Sequence, residues 1–230
     1  MNDQVAEGVG GIRSEGWNDL SAAFPGSGIV TGLPDDLDAL AAEIHADNIK
    51  AGWWKRHIVV TDNVASMGTI PRNIGELLCL VHSEISEAAD GLLGNLPDDK
   101  LPHRKMFEVE LADVSIRVLD ILGYYKPEFP LALEREVMAV LFPVLVYGSG
   151  DGHPLLLAMH STVSAAMEHF RKGRVEEGCT QLWLLLHIID WAAGSFALDL
   201  SGAIAEKRQF NRDRADHKFE HCAAVGGNAF

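Results

Sequence analysis

The sequence predicts an all-α protein, a helical bundle, on three observations. Apolar residues recur at helical spacing in one segment after another. No segment alternates apolar and polar residues between hairpin turns, as a half-buried strand would. Proline and glycine fall between the periodic segments and so mark their ends.

Residues 1–34 carry many Gly and Ser residues (GVGG, FPGSG, TGLP) and read as a mobile arm, with one short ordered stretch at 17–24. A single all-α domain over 35–221 follows. Pro34, Asp35 and Asp36 supply helix-start chemistry, and DDLDALAAEIHADNIKAGWW is the first helix. Residues 63–72 (NVASMGTIPR) read as a loop, and a strongly amphipathic helix runs over 73–93. After the turn-rich GNLPDDKLPH comes a helix over 105–124. Pro127 and Pro130 precede a helix over 131–141, and Pro143 with GSGDGHP marks the next break. Helices over 155–172, 175–196 and 200–217 complete the domain, and 222–230 is a frayed tail.

An internal repeat runs through this order. LVHSEISEAADGLLGN (80–95) lines up with AMHSTVSAAMEHFRKG (158–173), and RVLDILG (117–123) with HIIDWAA (187–193). The bundle therefore reads as a tandem, degenerate duplication, with a first repeat at 73–141 and a second at 155–217. Only the first kept its acids. Glu84 and Glu87 face Thr162 and Ala165 in the alignment, and Glu110 and Asp113 face Thr180 and Trp183.

Bulk properties narrow the function. The net charge of −14 disfavours nucleic acid and anionic membranes as partners. Three cysteines without a CxxC pair argue against a disulfide framework or a structural zinc site and fit a reducing cytoplasm. No secretory signal is visible at MNDQVAEG, and no apolar run reaches the ~18–20 residues of a membrane span. No GxxxxGK[ST] loop is present, which excludes P-loop chemistry.

Glu84-Ile85-Ser86-Glu87 and Glu110-Leu111-Ala112-Asp113 each place two acids at i, i+3, on one helical face. Glu84 falls inside the apolar stripe of Leu77, Leu80, Val81 and Ala88, with Glu87 on its edge. A single such pair belongs most often to a solvated face. Two pairs on neighbouring antiparallel helices bring four carboxylates together, and these need a compensating charge that a hard divalent cation supplies. Mg²⁺ is the natural candidate, with Mn²⁺ as a substitute. A dinuclear iron bundle would use ExxH on two helices, and the chain has no ExxH.

PRNIGELLCLVHSEISEA, FEVELADVSIRVLDILG and DLSGAIAEKRQFNRDRADH together resemble the MazG-like all-α NTP pyrophosphatase superfamily, which also holds the dimeric dUTPases and the dCTP pyrophosphatases. The resemblance covers about half the chain, residues 38–124 and 196–217. It implies a metal-dependent nucleoside triphosphate pyrophosphohydrolase with Glu84, Glu87, Glu110 and Asp113 as metal ligands. Glu87 or Glu84 would take the proton from the attacking water. The family's Lys, Asn and Arg motif falls on Lys207, Asn211 and Arg214, implying phosphate contacts from Lys207 and Arg214 and a phosphate or sugar contact from Asn211. Its aromatic-rich segment and the Asn before ExxE fall on Trp53, Trp54, His57 and Asn73, where a base would stack and be read. Arg117, one turn after Asp113, either pairs with the acids or reaches a phosphate. His82, His160 and His187 read as packing histidines. Single-repeat relatives assemble from several chains, which leaves room for a homodimer here. The rival to catalysis is a silent helical module that binds a nucleotide or a protein.

Overall fold

A computed structural model describes residues 32–34, 36–54, 72–127 and 152–213, together with the backbone of 57–60 and 64–67. Most of the arm with its 17–24 stretch, the helix expected over 131–141, Arg214 and the tail lie outside these residues, as does the His57 side chain.

Six helices carry the described part: α1 (Leu37–Ala51), α2 (Ile74–Gly94), α3 (Met106–Tyr125), α4 (His153–Arg171), α5 (Val175–Phe196) and α6 (Leu200–Asp213). Each sits where the apolar period places it. Asp36 caps α1 by accepting from Ala39 N at 2.9 Å, and Gly52 (φ 90°) closes it in the left-handed conformation that glycine takes without strain. Among the described residues no single helix is long and apolar enough to cross a membrane.

One expectation is corrected between α1 and α2. Residues 63–72 were expected as a loop, but β1 (His57–Val60) and β2 (Val64–Met67) pair antiparallel, with His57 opposite Met67 and Val60 opposite Val64. Ile58, Val59, Val60 and Val64 supply β-branched stiffness, but four-residue strands are too short to show an alternation.

α3 is the axial helix. Its buried residues run almost without interruption from Phe107 to Gly123, because α1, α2, α5 and α6 all pack around it. A helix buried on nearly every side needs such surroundings. Gly123 lets α3 pack tightly on α1, since a Cβ there would run into the Ala41 carbonyl. α4 and α5 form a second antiparallel pair, joined to the first through α2–α4 and α3–α5 contacts. His82 and His160, which the repeat aligns, meet across α2 and α4 with their Nδ1 atoms 2.7 Å apart, one donating to the other.

Candidate metal centre

The four acids stand on facing surfaces of α2 and α3. On α2, Leu78, Val81, Ile85 and Ala88 are buried and carry Glu84 inward with them, leaving it 7% exposed. Glu87 is one turn further on and half-buried. On α3, Glu110 is 1% exposed among Val109, Leu111 and Val114. One oxygen from each of Glu84, Glu87 and Glu110 falls within 4.8 Å of the others.

Asp113 stands beside this trio but turns to α6. Leu200, Ala203, Ile204 and Lys207 form the buried stripe of that helix, so Lys207 points inward and is only 2% exposed. Its Nζ lies 2.5 Å from Asp113 Oδ2. Glu84 has a counter-ion too, since Arg117 reaches its Oε1 through Nε at 2.7 Å and through Nη2 at 2.5 Å.

Glu110 has no such partner. Its Oε2 is buried without a counter-ion, and in the protonated form the carboxyl shares a hydrogen bond with the Glu84 carboxyl. Burial, then the neighbouring Asp113 and Glu84 charges, push the Glu110 carboxyl up to about 9 against the pull of Lys207. Burial also raises Asp113, to about 6, with Lys207 opposing and Glu84 adding to the rise. Glu87 is raised by burial and by Glu84. Without a cation the cluster therefore holds a proton at neutral pH. An oxygen-only donor set of three converging carboxylates, with Glu110 almost wholly buried, fits a hard divalent cation.

Lys100 is a residue that the sequence reading passed over. Burial would lower its ammonium, but Asp99, Glu110 and Asp113 outweigh that and raise it, which places it within electrostatic reach of the cluster. Its loop is firmly held. Asp98 accepts from Lys100 N at 2.9 Å and Leu101 N at 2.6 Å, and Arg104 ties the loop to Asp199 and Glu206 on the α6 side. Such a position is hard to read from sequence, because DDK in a turn looks like an ordinary solvated loop.

A cleft of about 620 Å³, counting the solvent at its mouth, opens next to the acids. Asp113, Arg117 and Asp120 lie along its wall on one face of α3, at i, i+4 and i+7. Asp120 accepts hydrogen bonds from Trp54 Nε1 at 2.9 Å, Asn48 Nδ2 at 2.7 Å and His45 Nδ1 at 2.8 Å. Trp54 stacks on Tyr124 with centroids 4.5 Å apart. Trp53 lines the cleft with the Arg72 guanidinium 5.6 Å from its ring centroid, and Arg72 Nη1 also donates to the Trp53 carbonyl. Asn211, one turn beyond Lys207, completes the wall.

The expected site residues thus divide. Glu84, Glu87, Glu110, Asp113, Arg117 and Lys207 come together, and Trp53, Trp54 and Asn211 line the adjoining cleft. Asn73 does not join them. It is exposed at the start of α2, where its side-chain oxygen accepts from Gly75 N at 2.8 Å, which makes it a helix cap. Asp120, Asn48, His45 and Arg72 were missed. The Asp113–Asp120 spacing is the one signal that sequence offered for them.

The positions that the sequence alignment pairs with the four acids carry no carboxylate. Trp183, which the alignment pairs with Asp113, is buried, and Thr162, which it pairs with Glu84, turns its hydroxyl back to the Ala158 carbonyl at 2.8 Å. Asp190, aligned with Asp120, accepts instead from Gly32 N at 2.6 Å and Leu33 N at 3.0 Å. No protein-family model, curated protein or solved structure matches the chain.

Proposed function

We propose that the chain is a Mg²⁺-dependent nucleoside triphosphate pyrophosphohydrolase of the MazG-like all-α kind, which cleaves a (d)NTP with water into a nucleoside monophosphate and pyrophosphate. The observation that carries this reading is the convergence of Glu84, Glu87 and the buried Glu110, whose oxygens fall within 4.8 Å of one another. Three carboxylates so close together repel one another unless a proton or a cation sits among them, and a divalent cation satisfies all three.

Glu84, Glu87 and Glu110 would hold the cation, with Asp113 beside them. When bound, it neutralises triphosphate charge and orients a water for in-line attack. The chain's own residues do the rest. Glu87, the least enclosed of the trio and free of the Arg117 pairing, accepts the proton from the water as its oxygen bonds to phosphorus. The scissile P–O bond breaks, and its electron pair leaves with the departing phosphate oxygen. Lys207 stabilises that developing charge, since a buried ammonium is worth more there than a solvated one. Trp53 and Asn211 in the cleft wall hold base and sugar outside the acid cluster. The same reading takes α4 and α5 as a degenerate second copy that keeps the scaffold and lacks the chemistry.

The test is pyrophosphate release from a panel of NTPs and dNTPs, with and without Mg²⁺. Metal-dependent release that Glu110→Gln and Asp113→Asn abolish is the expected result. No release from any member of the panel, or unchanged turnover in both variants, would refute the reading.

A further inference from the structure

Arg117 stands at the border between the acids and the cleft. It lines the cleft wall, its side chain is 28% exposed, and both Nε and Nη2 converge on the single oxygen Glu84 Oε1. This is not the parallel fork in which a guanidinium spans both oxygens of a carboxylate. One guanidinium edge is spent on one oxygen, and that oxygen belongs to a residue of the proposed cation site. Its charge also bears on Glu87 and Asp113. A divalent cation and Arg117 therefore compete for the same negative charge.

We infer that Arg117 is an exchangeable counter-ion, paired with Glu84 in the metal-free protein and transferred to the substrate triphosphate when a divalent cation takes up Glu84. This rests on the reading given above and adds an ordering to it. Entry of the cation weakens the hold on Arg117, and the triphosphate arriving in the cleft offers the released guanidinium a polyanion one side-chain swing away. Metal and nucleotide then favour each other's binding through this residue, in addition to their direct contact. No bond is made or broken in the exchange; only ion pairs change partners.

Arginine suits this role where lysine would not. It stays charged at every working pH, so the exchange needs no proton, and its planar fork can grip phosphate oxygens bidentately. Its position on α3 is fixed by buried neighbours Ile116 and Val118, so only the side chain has to move.

The experiment compares wild type, Arg117→Gln and Arg117→Lys in two binding measurements. Free Mn²⁺ is counted by electron paramagnetic resonance, and a non-hydrolysable imido-triphosphate is titrated at saturating Mg²⁺. Removing the competing cation in Arg117→Gln is expected to tighten Mn²⁺ alone by several-fold and to weaken the analogue by about tenfold. Mutual enhancement between Mn²⁺ and the analogue should shrink correspondingly, and Arg117→Lys should restore part of it. Thermal melts check that the variants fold. If Arg117→Gln weakens Mn²⁺ and analogue alike, or leaves both unchanged, Arg117 is a fixed prop for Glu84 and the exchange is overturned. If wild type binds no Mn²⁺ at all, the metal centre fails and takes the exchange with it.

Discussion

Lys207 Nζ sits 2.5 Å from Asp113 Oδ2 across the α3–α6 contact, and the lysine side chain is almost wholly out of water. An ammonium so placed depends on its carboxylate. Lys207→Met should leave Asp113 without its partner and cost about 3–5 kcal/mol of stability, the usual penalty for breaking a buried pair from one side. Urea unfolding without divalent cation measures it. Added Mg²⁺ should recover part of the loss, because Asp113 then has another positive neighbour.

The pH profile follows from which groups the fold shifts. Glu110 and Asp113 are raised, to about 9 and about 6, so the metal-free folded state binds protons that the unfolded chain has released. Their contribution is complete below the unfolded carboxyl range and is lost as pH climbs through 6 and on towards 9. Burial pushes His187 down to about 4, so its contribution is lost in the other direction, as pH falls from about 6.5 through 4. Two raised acids outweigh one lowered histidine, so thermal melts in a chelating buffer should show stability declining from the acid side towards pH 8. Saturating Mg²⁺ should flatten the alkaline side, and Mg²⁺ affinity should rise with pH, since binding displaces the proton on Glu110. A metal-free stability that climbs steadily from pH 6 to 8 would contradict this.

Asp120 gathers Trp54, Asn48 and His45 at the back of the cleft. Asp120→Ala removes the acceptor for three donors on α1 and just after it, and a loss of about 1–3 kcal/mol of stability is expected. In kinetics the change should fall mainly on KM for the nucleotide, because the acids on α2 and α3 keep their places. A loss confined to kcat would mean that Asp120 acts on the chemistry.

Lys100 provides a separate check on the charge balance around the acids. Lys100→Gln removes a cation that acts on Glu87, Glu110 and Asp113. Mn²⁺ binding in the absence of nucleotide should tighten by a few-fold, and affinity for inorganic pyrophosphate should fall. Unchanged values in both titrations would leave Lys100 as a loop residue without a role in the site.

Gly123 lets α3 pack tightly on α1, against the Ala41 carbonyl. Gly123→Val should force the helices apart and cost about 1–3 kcal/mol, the range for overpacking a closed interface. The cleft residues on α1 would shift with it, so nucleotide affinity should fall together with the melting temperature.

Much of this arrangement could be read directly from the residues. Glu84 was legible because it breaks an apolar stripe, whereas Lys207 came only from the resemblance of its Lys, Asn and Arg motif, and its burial against Asp113 is a finding of the structure. Asp120 was not, since an acid in the middle of RVLDILG makes sense only once Trp54 and Asn48, far back in the chain, are seen to donate to it. Asn73 shows the opposite case. Asparagine before an apolar run serves as a cap by local geometry, and the cap is the role that the structure shows. The β1–β2 hairpin escaped because its strands are short enough to pass for a loop.

The Asp190 contact with Gly32 and Leu33 has a practical consequence. Leu33 is buried, and a Cβ on Gly32 would come within 2.7 Å of the Ala193 methyl, so this stretch is wedged into the wall of the second helix pair. Expression boundaries drawn at the first helix would strip out that wedge and open an acidic hole in the rear half of the molecule. Trimmed versions should keep the residues from Gly32 onward if they are to behave as the intact protein does.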